Sequence, residues 1–257
     1  MLVDYHVHGL AHGEYKYSYE WIHRYLDNAL MKGIKEIGFA EHEEHASLID
    51  FDLIKQLRQE YNEIQIRIGL EIDYIPGQES IIRDKINAKP YDFIIGSVHF
   101  LNGWAFDHPD YKDRFEGADI DDIYKAYFST VNLAVKSRLF DIIGHIDLIK
   151  KWGHRPVKKN SLDYIVPVLN SIRANGLVME INSSGLRKPV GETYPSLKVL
   201  RQAFDLKVLI TFGSDAHDPQ NLGEQVRENM LLARQLGFRH FCTFKGRKLQ
   251  LVPINML

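Results

Sequence analysis

Seven times along this chain, a short apolar run rich in β-branched residues precedes a longer stretch whose apolar positions recur at helical spacing. The short runs cover residues 2–7, 36–40, 65–70, 93–98, 140–146, 177–181 and 207–212. Their length and β-branching mark them as strands. Residues 18–32 place Ile22, Tyr25, Leu26, Ala29 and Leu30 along one helical face, with Ser18 as the cap and Gly33 as the stop. Residues 119–137, 161–175 and 224–236 follow the same pattern. Strands that alternate with helices are parallel and covered on both faces. For 257 residues the simplest closed form is one α/β domain over 1–257, a barrel like the (β/α)8 fold but with seven strands. A small hairpin is expected around Gly246, where strand signal resumes over residues 248–252.

The ends of these strands are unlike their middles. The first ends in Asp4-Tyr5-His6-Val7-His8, the second in Glu41-His42 and the third in Glu71-Ile72-Asp73. The fourth ends in Ser97-Val98-His99, the fifth in Gly144-His145-Ile146-Asp147 and the seventh in Gly213-Ser214-Asp215-Ala216-His217. In parallel barrels the C-terminal ends of the strands form the functional face, so these groups converge on one pocket. Residues i and i+2 of a strand share a face, which lets His6 and His8 address one metal ion. Any one of these motifs alone reads as a surface pair or a satisfied core histidine. Together they place unpaired ionisable groups repeatedly behind apolar strands, which is costly unless something neutralises them. Imidazole with carboxylate suits zinc, manganese or iron better than calcium.

Composition narrows the functions. The formal net charge is -2, with 26% charged residues, so there is no electrostatic footprint for nucleic acid or an anionic membrane. One cysteine, Cys242, excludes an internal disulfide and a thiolate-rich zinc site, and its apolar surroundings imply an inert thiol. No apolar run approaches the ~18 residues that span a bilayer, and residues 1–8 lack a signal-peptide pattern. The expectation is a soluble cytoplasmic protein without membrane or nucleic-acid partners, monomeric or a small homo-oligomer.

The strand-end motifs, with Trp104-Ala105-Phe106-Asp107-His108-Pro109, Lys150-Lys151-Trp152-Gly153-His154-Arg155 and Asn182-Ser183-Ser184-Gly185-Leu186-Arg187, resemble the PHP (polymerase and histidinol phosphatase) superfamily. Within it, they are most similar to stand-alone histidinol-phosphate phosphatases, and the resemblance runs through essentially the whole chain. It implies a distorted (β/α)7 barrel with three divalent transition metals. By position, one metal takes His6, His8, Glu71 and Asp215; a second shares Glu71 and adds His99 and His145; a third takes His12, His42 and His217. The implied reaction is hydrolysis of the small-molecule ester L-histidinol phosphate by a metal-bound hydroxide, without a phospho-enzyme, Glu71 bridging two metals.

A phosphate dianion also needs fixed positive charge, and guanidinium matches its oxygens at two points. Arg155 and Arg187 are the expected phosphate ligands, with His154 and Lys151 as weaker candidates. Asp107, Glu14 or Glu116 can meet the substrate ammonium. Asp107, His108 or metal-bound water can protonate the leaving group. Asp4 and Asp147 are candidates to orient ligand histidines from behind. The competing readings are another PHP-type phosphoesterase acting on nucleotides or oligonucleotides, an amidohydrolase, which also opens with His-X-His, and a non-catalytic metal-stabilised domain. Against the amidohydrolase, Glu71 and His99 stand at strand ends where that family often carries a carboxylated lysine.

Overall fold

A computed structural model describes residues 1–254; residues 255–257, the last of the expected 1–257 domain, lie outside the described residues. In chain order the elements are β1 (Leu2–Val7), α1 (Tyr19–Lys32), β2 (Ile34–His42), α2 (Phe51–Glu60), β3 (Gln65–Asp73), α3 (Glu79–Asn87) and β4 (Phe93–Ser97). There follow a two-stranded ribbon of β5 (Phe100–Leu101) and β6 (Trp104–Ala105), then α4 (Ile120–Ser137), β7 (Ile142–Ile143), α5 (Ser161–Asn175) and β8 (Val178–Asn182). The chain continues through α6 (Leu197–Asp205), β9 (Leu209–Gly213), α7 (Val226–Leu236) and the tail hairpin β10 (His240–Lys245) and β11 (Lys248–Pro253). No helix among the described residues is long and apolar enough to cross a membrane.

Seven strands form one parallel sheet in the order β1-β2-β3-β4-β7-β8-β9. Its outer strands meet only near their C-terminal ends, where Val7 bridges Ala216 and the His8 N–H donates to the Ala216 carbonyl at 2.8 Å. The result is a nearly closed seven-stranded barrel. The expected helix signals act as read: Ser18 accepts from the Trp21 N–H, and Gly33 ends α1 in the left-handed conformation. The strand expected over 140–146 is ordered as sheet only at Ile142–Ile143. Gly144 lies so close to β4 that an added Cβ would stand 2.6 Å from Ser97 Oγ, and the chain turns off the sheet there.

Two layers fill the barrel. In the lower one, the Phe93 ring occupies the axis, and Gly69 leaves it room: a Cβ there would lie 2.7 Å from that ring. The tail hairpin seals this end, with Phe241, Cys242 and Phe244 buried and Phe244 packed edge-on against Tyr5. Burial pushes the Cys242 thiol up to about 12, so it is inert. The upper layer holds the histidines and acids. A register shift in β1 between Asp4 and Val7 lets consecutive residues both meet interior groups, Tyr5 reaching Glu36 below and His6 reaching Glu71 above.

Candidate metal centre

Strand register sets the centre. Parallel pairing of β2 with β3 puts His42 opposite Glu71. Around Glu71, its two carboxylate oxygens face different sets of imidazoles. Oε2 lies 3.3 Å from His6 Nε2, 3.5 Å from His8 Nε2 and 3.3 Å from His42 Nδ1. Oε1 lies 2.9 Å from His145 Nε2 and 3.7 Å from His99 Nε2, and accepts from Ser97 Oγ at 2.6 Å. Asp215 Oδ1 stands 3.5 Å from His8 Nε2 and 4.0 Å from His6 Nε2. Asp215 and His217 leave β9 through a tight turn, with Asp215 in the left-handed region at φ 55, a strained conformation of the kind that collects at functional sites.

Four overlapping groups can each offer ligand atoms within 4.8 Å of one another: His6-His8-Glu71, His6-His145-Asp215, Glu71-His99-His145 and His8-His42-His217. The spacing fits a cation between the donors, because the edge of a tetrahedron with bonds of about 2.0–2.1 Å is roughly 3.3 Å. Unpartnered buried ring nitrogens are concentrated here: His6 Nε2, both nitrogens of His8, His42 Nε2, His145 Nδ1 and His217 Nε2. Burial and the neighbouring imidazoles His42 and His217 hold His8 well below its ordinary pKa, and burial brings His217 down to about 4. Against the opposing effect of burial, His6 holds Glu71 and Asp215 well below the usual carboxylate range. The neutral rings of His8 and His217 beside ionised Glu71 and Asp215 are donors that a divalent transition metal takes, whereas burial at His6 and His99 is outweighed by the carboxylates around them, which raise their pKa values, so a cation there must displace a proton.

Of the nine expected ligands, eight fall within these groups. The ninth, His12, is exposed; its ring centroid lies 4.4 Å from that of His217 and 5.3 Å from that of His42, at the lip of the cavity. His8 takes its place in the tight set with His42 and His217.

The cavity above the cluster has a volume of about 280 Å³ and includes Asp107, Lys151, Arg187, Lys188, Ser184 and Tyr194 in its wall. Arg187 is anchored by donation to the Ser214 and Asp215 carbonyls at 2.7 and 3.2 Å and by Glu224 at 3.0 Å. Lys151 Nζ pairs with Asp107 Oδ2 at 3.2 Å.

Several expectations need correcting. Arg155 does not line this cavity: it pairs with Glu192 at 3.0 Å and faces a separate groove beside α4 and α5. The ring of His154 stacks on Phe115 at 4.6 Å, and half-exposed His108 accepts from the Asp110 N–H, so neither lines the cavity. Glu14 accepts from the His12 N–H at the surface, and Glu116 is exposed. Asp4 orients no histidine ring; its carboxylate ties Ser214 and Gly223 to β1. Asp147 pairs with Lys150 at 3.0 Å and caps Ser196. The carboxylates that do meet ring nitrogens of the cluster from behind are Asp73, 2.8 Å from His99 Nδ1, and Glu180, 2.7 Å from His6 Nδ1. Lys188, beside Arg187, was also not singled out from the sequence; burial lowers its pKa.

Comparison with known proteins shows the family and the fold. Residues 4–184 match the PHP domain, and the chain belongs to that family. A probable histidinol-phosphatase of Deinococcus radiodurans is 36% identical over 201 residues, covering 77% of this chain and 75% of that protein. The histidinol-phosphatase of Bacillus subtilis is 28% identical over 258 residues, covering 86% and 95%. In fold, the chain is similar to the histidinol phosphate phosphatase of Lactococcus lactis solved with zinc, L-histidinol and phosphate, with a TM-score of 0.80 at 23% identity over 97% of this chain and 98% of that one.

Proposed function

We propose that this protein is a metal-dependent phosphoric monoester hydrolase that converts L-histidinol phosphate and water to L-histidinol and phosphate, a step of histidine biosynthesis. The observation that carries the reaction class is Glu71, whose two oxygens each face a different set of histidines beneath a cavity walled by Arg187, Lys188 and Lys151. The substrate rests on the relatives that bear that enzyme name.

In this reading His6, His8, Glu71 and Asp215 would hold one ion, Glu71, His99 and His145 a second, and His42 and His217 with His12 a third. Zinc, manganese or iron suits these donors, and such ions supply Lewis acidity toward phosphoryl oxygens and acidify water at neutral pH. The chain's own residues do the rest. Arg187, held rigidly by backbone carbonyls, presents its guanidinium to the phosphoryl oxygens. Lys188 and Lys151 add positive charge to the same wall. Asp107, at the cavity edge, faces the substrate ammonium or supplies the leaving oxygen with a proton. The enzyme acts in the cytoplasm on this small molecule, without nucleic acid.

The test has two parts. Metal analysis of the purified protein is expected to find more than one equivalent of transition metal. Phosphate release over a panel of histidinol phosphate, nucleotides and sugar phosphates is expected to favour histidinol phosphate; a marked preference for a nucleotide overturns the substrate assignment.

A further inference from the structure

Glu180 sits in the middle of β8, the one barrel strand that contributes no member to the ligand groups above. It is 1% exposed, and two of its three polar contacts are to members of that centre. Oε1 lies 2.7 Å from His6 Nδ1. Oε2 accepts from the His145 backbone N–H at 2.8 Å and from Asn182 Nδ2 at 3.1 Å. His6 lies on β1 and His145 follows β7, strands far apart around the barrel. The neighbouring strand leaves space for this reach: a Cβ on Gly213 would stand 2.3 Å from Glu180 Oε1 and 2.5 Å from the His6 Cβ.

We infer that Glu180 is a positioning residue of the metal centre, one carboxylate that fixes the tautomer of His6 and the backbone of His145 together. The inference rests on the metal-centre reading above. A carboxylate beside Nδ1 keeps the ring proton there and leaves the Nε2 lone pair free. That Nε2 is the atom that faces Glu71 at 3.3 Å and Asp215 at 4.0 Å. The second oxygen holds the chain at His145, whose Nε2 meets the other oxygen of Glu71 at 2.9 Å. Glu71 thus joins two ligand sets from within the cluster, and Glu180 joins the same two from outside it. Glutamine cannot replace it, because an amide has one acceptor end and its NH2 would confront either the ring N–H of His6 or the N–H of His145.

Two measurements test this. The first compares zinc release from the loaded wild type and Glu180→Gln to a competing chelator, with circular dichroism confirming that both are folded. Outer partners of ligand histidines are worth about 10- to 100-fold in metal affinity, and a loss in that range is expected, with Glu180→Asp recovering part of it. Unchanged zinc affinity in a folded Glu180→Gln overturns the inference. The second needs no altered Glu180: 15N NMR of histidine-labelled, metal-free wild type at a pH high enough for the His6 ring to be neutral, with the His6 signals assigned from a His6→Gln sample. Protonation at Nδ1 is expected, and protonation at Nε2 alone overturns the inference even where Glu180→Gln fails to fold. A wild type that binds no zinc refutes the metal centre instead, and the tautomer measurement still decides the placement of the His6 proton.

Discussion

At the floor of the barrel, Arg67 donates to Glu36 at 2.7 Å, Tyr5 donates to the same carboxylate at 2.5 Å, and the Phe244 N–H donates to the Tyr5 hydroxyl at 2.7 Å. At the top of the same strands, Glu71 and Asp215 face the Nε2 atoms of His6 and His8, which have no hydrogen-bond partner. Both ends bury ionisable groups within a few residues of each other on β1, β2 and β3. The floor answers each charge with a protein donor; the top leaves donor atoms aimed at one another across gaps of ion size. A buried set closed within the protein contributes to the folded state, and one left open is a site.

Breaking the top should remove function and spare the fold. Glu71→Gln takes away the group common to two ligand sets, so its loss of turnover should exceed the roughly 10- to 100-fold typical of outer partners. Its metal-free form should still melt as a folded protein, below metal-free wild type, because the carboxylate that His6 holds ionised contributes to the fold. Steady-state phosphate release and thermal melts on the same samples check this, and retained turnover would contradict the bridging role.

Breaking the floor should do the reverse. Arg67→Ala strands the Glu36 carboxylate, buried to 2% exposure, with only Tyr5 as partner. Removing one member of a buried pair costs about 3–5 kcal/mol. Urea unfolding should record that loss, while turnover per folded molecule stays near wild type.

The two arginines sharpen the comparison within the top itself. Arg187 lines the cavity and Arg155 is turned away to Glu192. A charged hydrogen-bonding group contributes about 1.5–3 kcal/mol, so Arg187→Ala should lower kcat/KM by roughly 10- to 100-fold. Arg155→Ala should lower it by much less, and equal losses would show that Arg155 reaches the phosphate during turnover.

The same contrast explains what was legible in the sequence. The barrel was readable because β-branched runs and helix caps are local signals. The clustering of the candidate ligands was readable because they stand where apolar strands stop. Glu180 was not, since it lies within its strand rather than at the end, and a lone acid there carries no spacing pattern. The placement of Arg155 and His154 away from the cavity was not legible for another reason: their partners, Glu192 and Phe115, are 37 and 39 positions away and are chosen by tertiary packing. His12 shows a third limit, because a loop of small residues fixes how far a side chain travels from its motif but not where it points.

The smallest expected effect concerns a carboxylate at the start of α4, closed like the floor but on the rim of the molecule. Asp121 accepts from the backbone N–H groups of Val157, Lys158 and Lys159 at 2.9, 3.0 and 3.1 Å and from the Tyr164 hydroxyl at 2.7 Å. Burial opposes ionisation, but these donors outweigh it and bring its pKa down to about 2 from the ordinary 3.8. A carboxyl whose folded pKa is depressed stabilises the fold above its unfolded pKa and loses that contribution as pH falls through the folded value. Asp121 should therefore contribute fully above about pH 4 and progressively less down to about pH 2. The asparagine of Asp121→Asn does not titrate, so melting temperatures of the two proteins should differ at neutral pH and converge in acid. A difference that stays constant across this range would mean that Asp121 holds the 157–159 loop by shape rather than by charge.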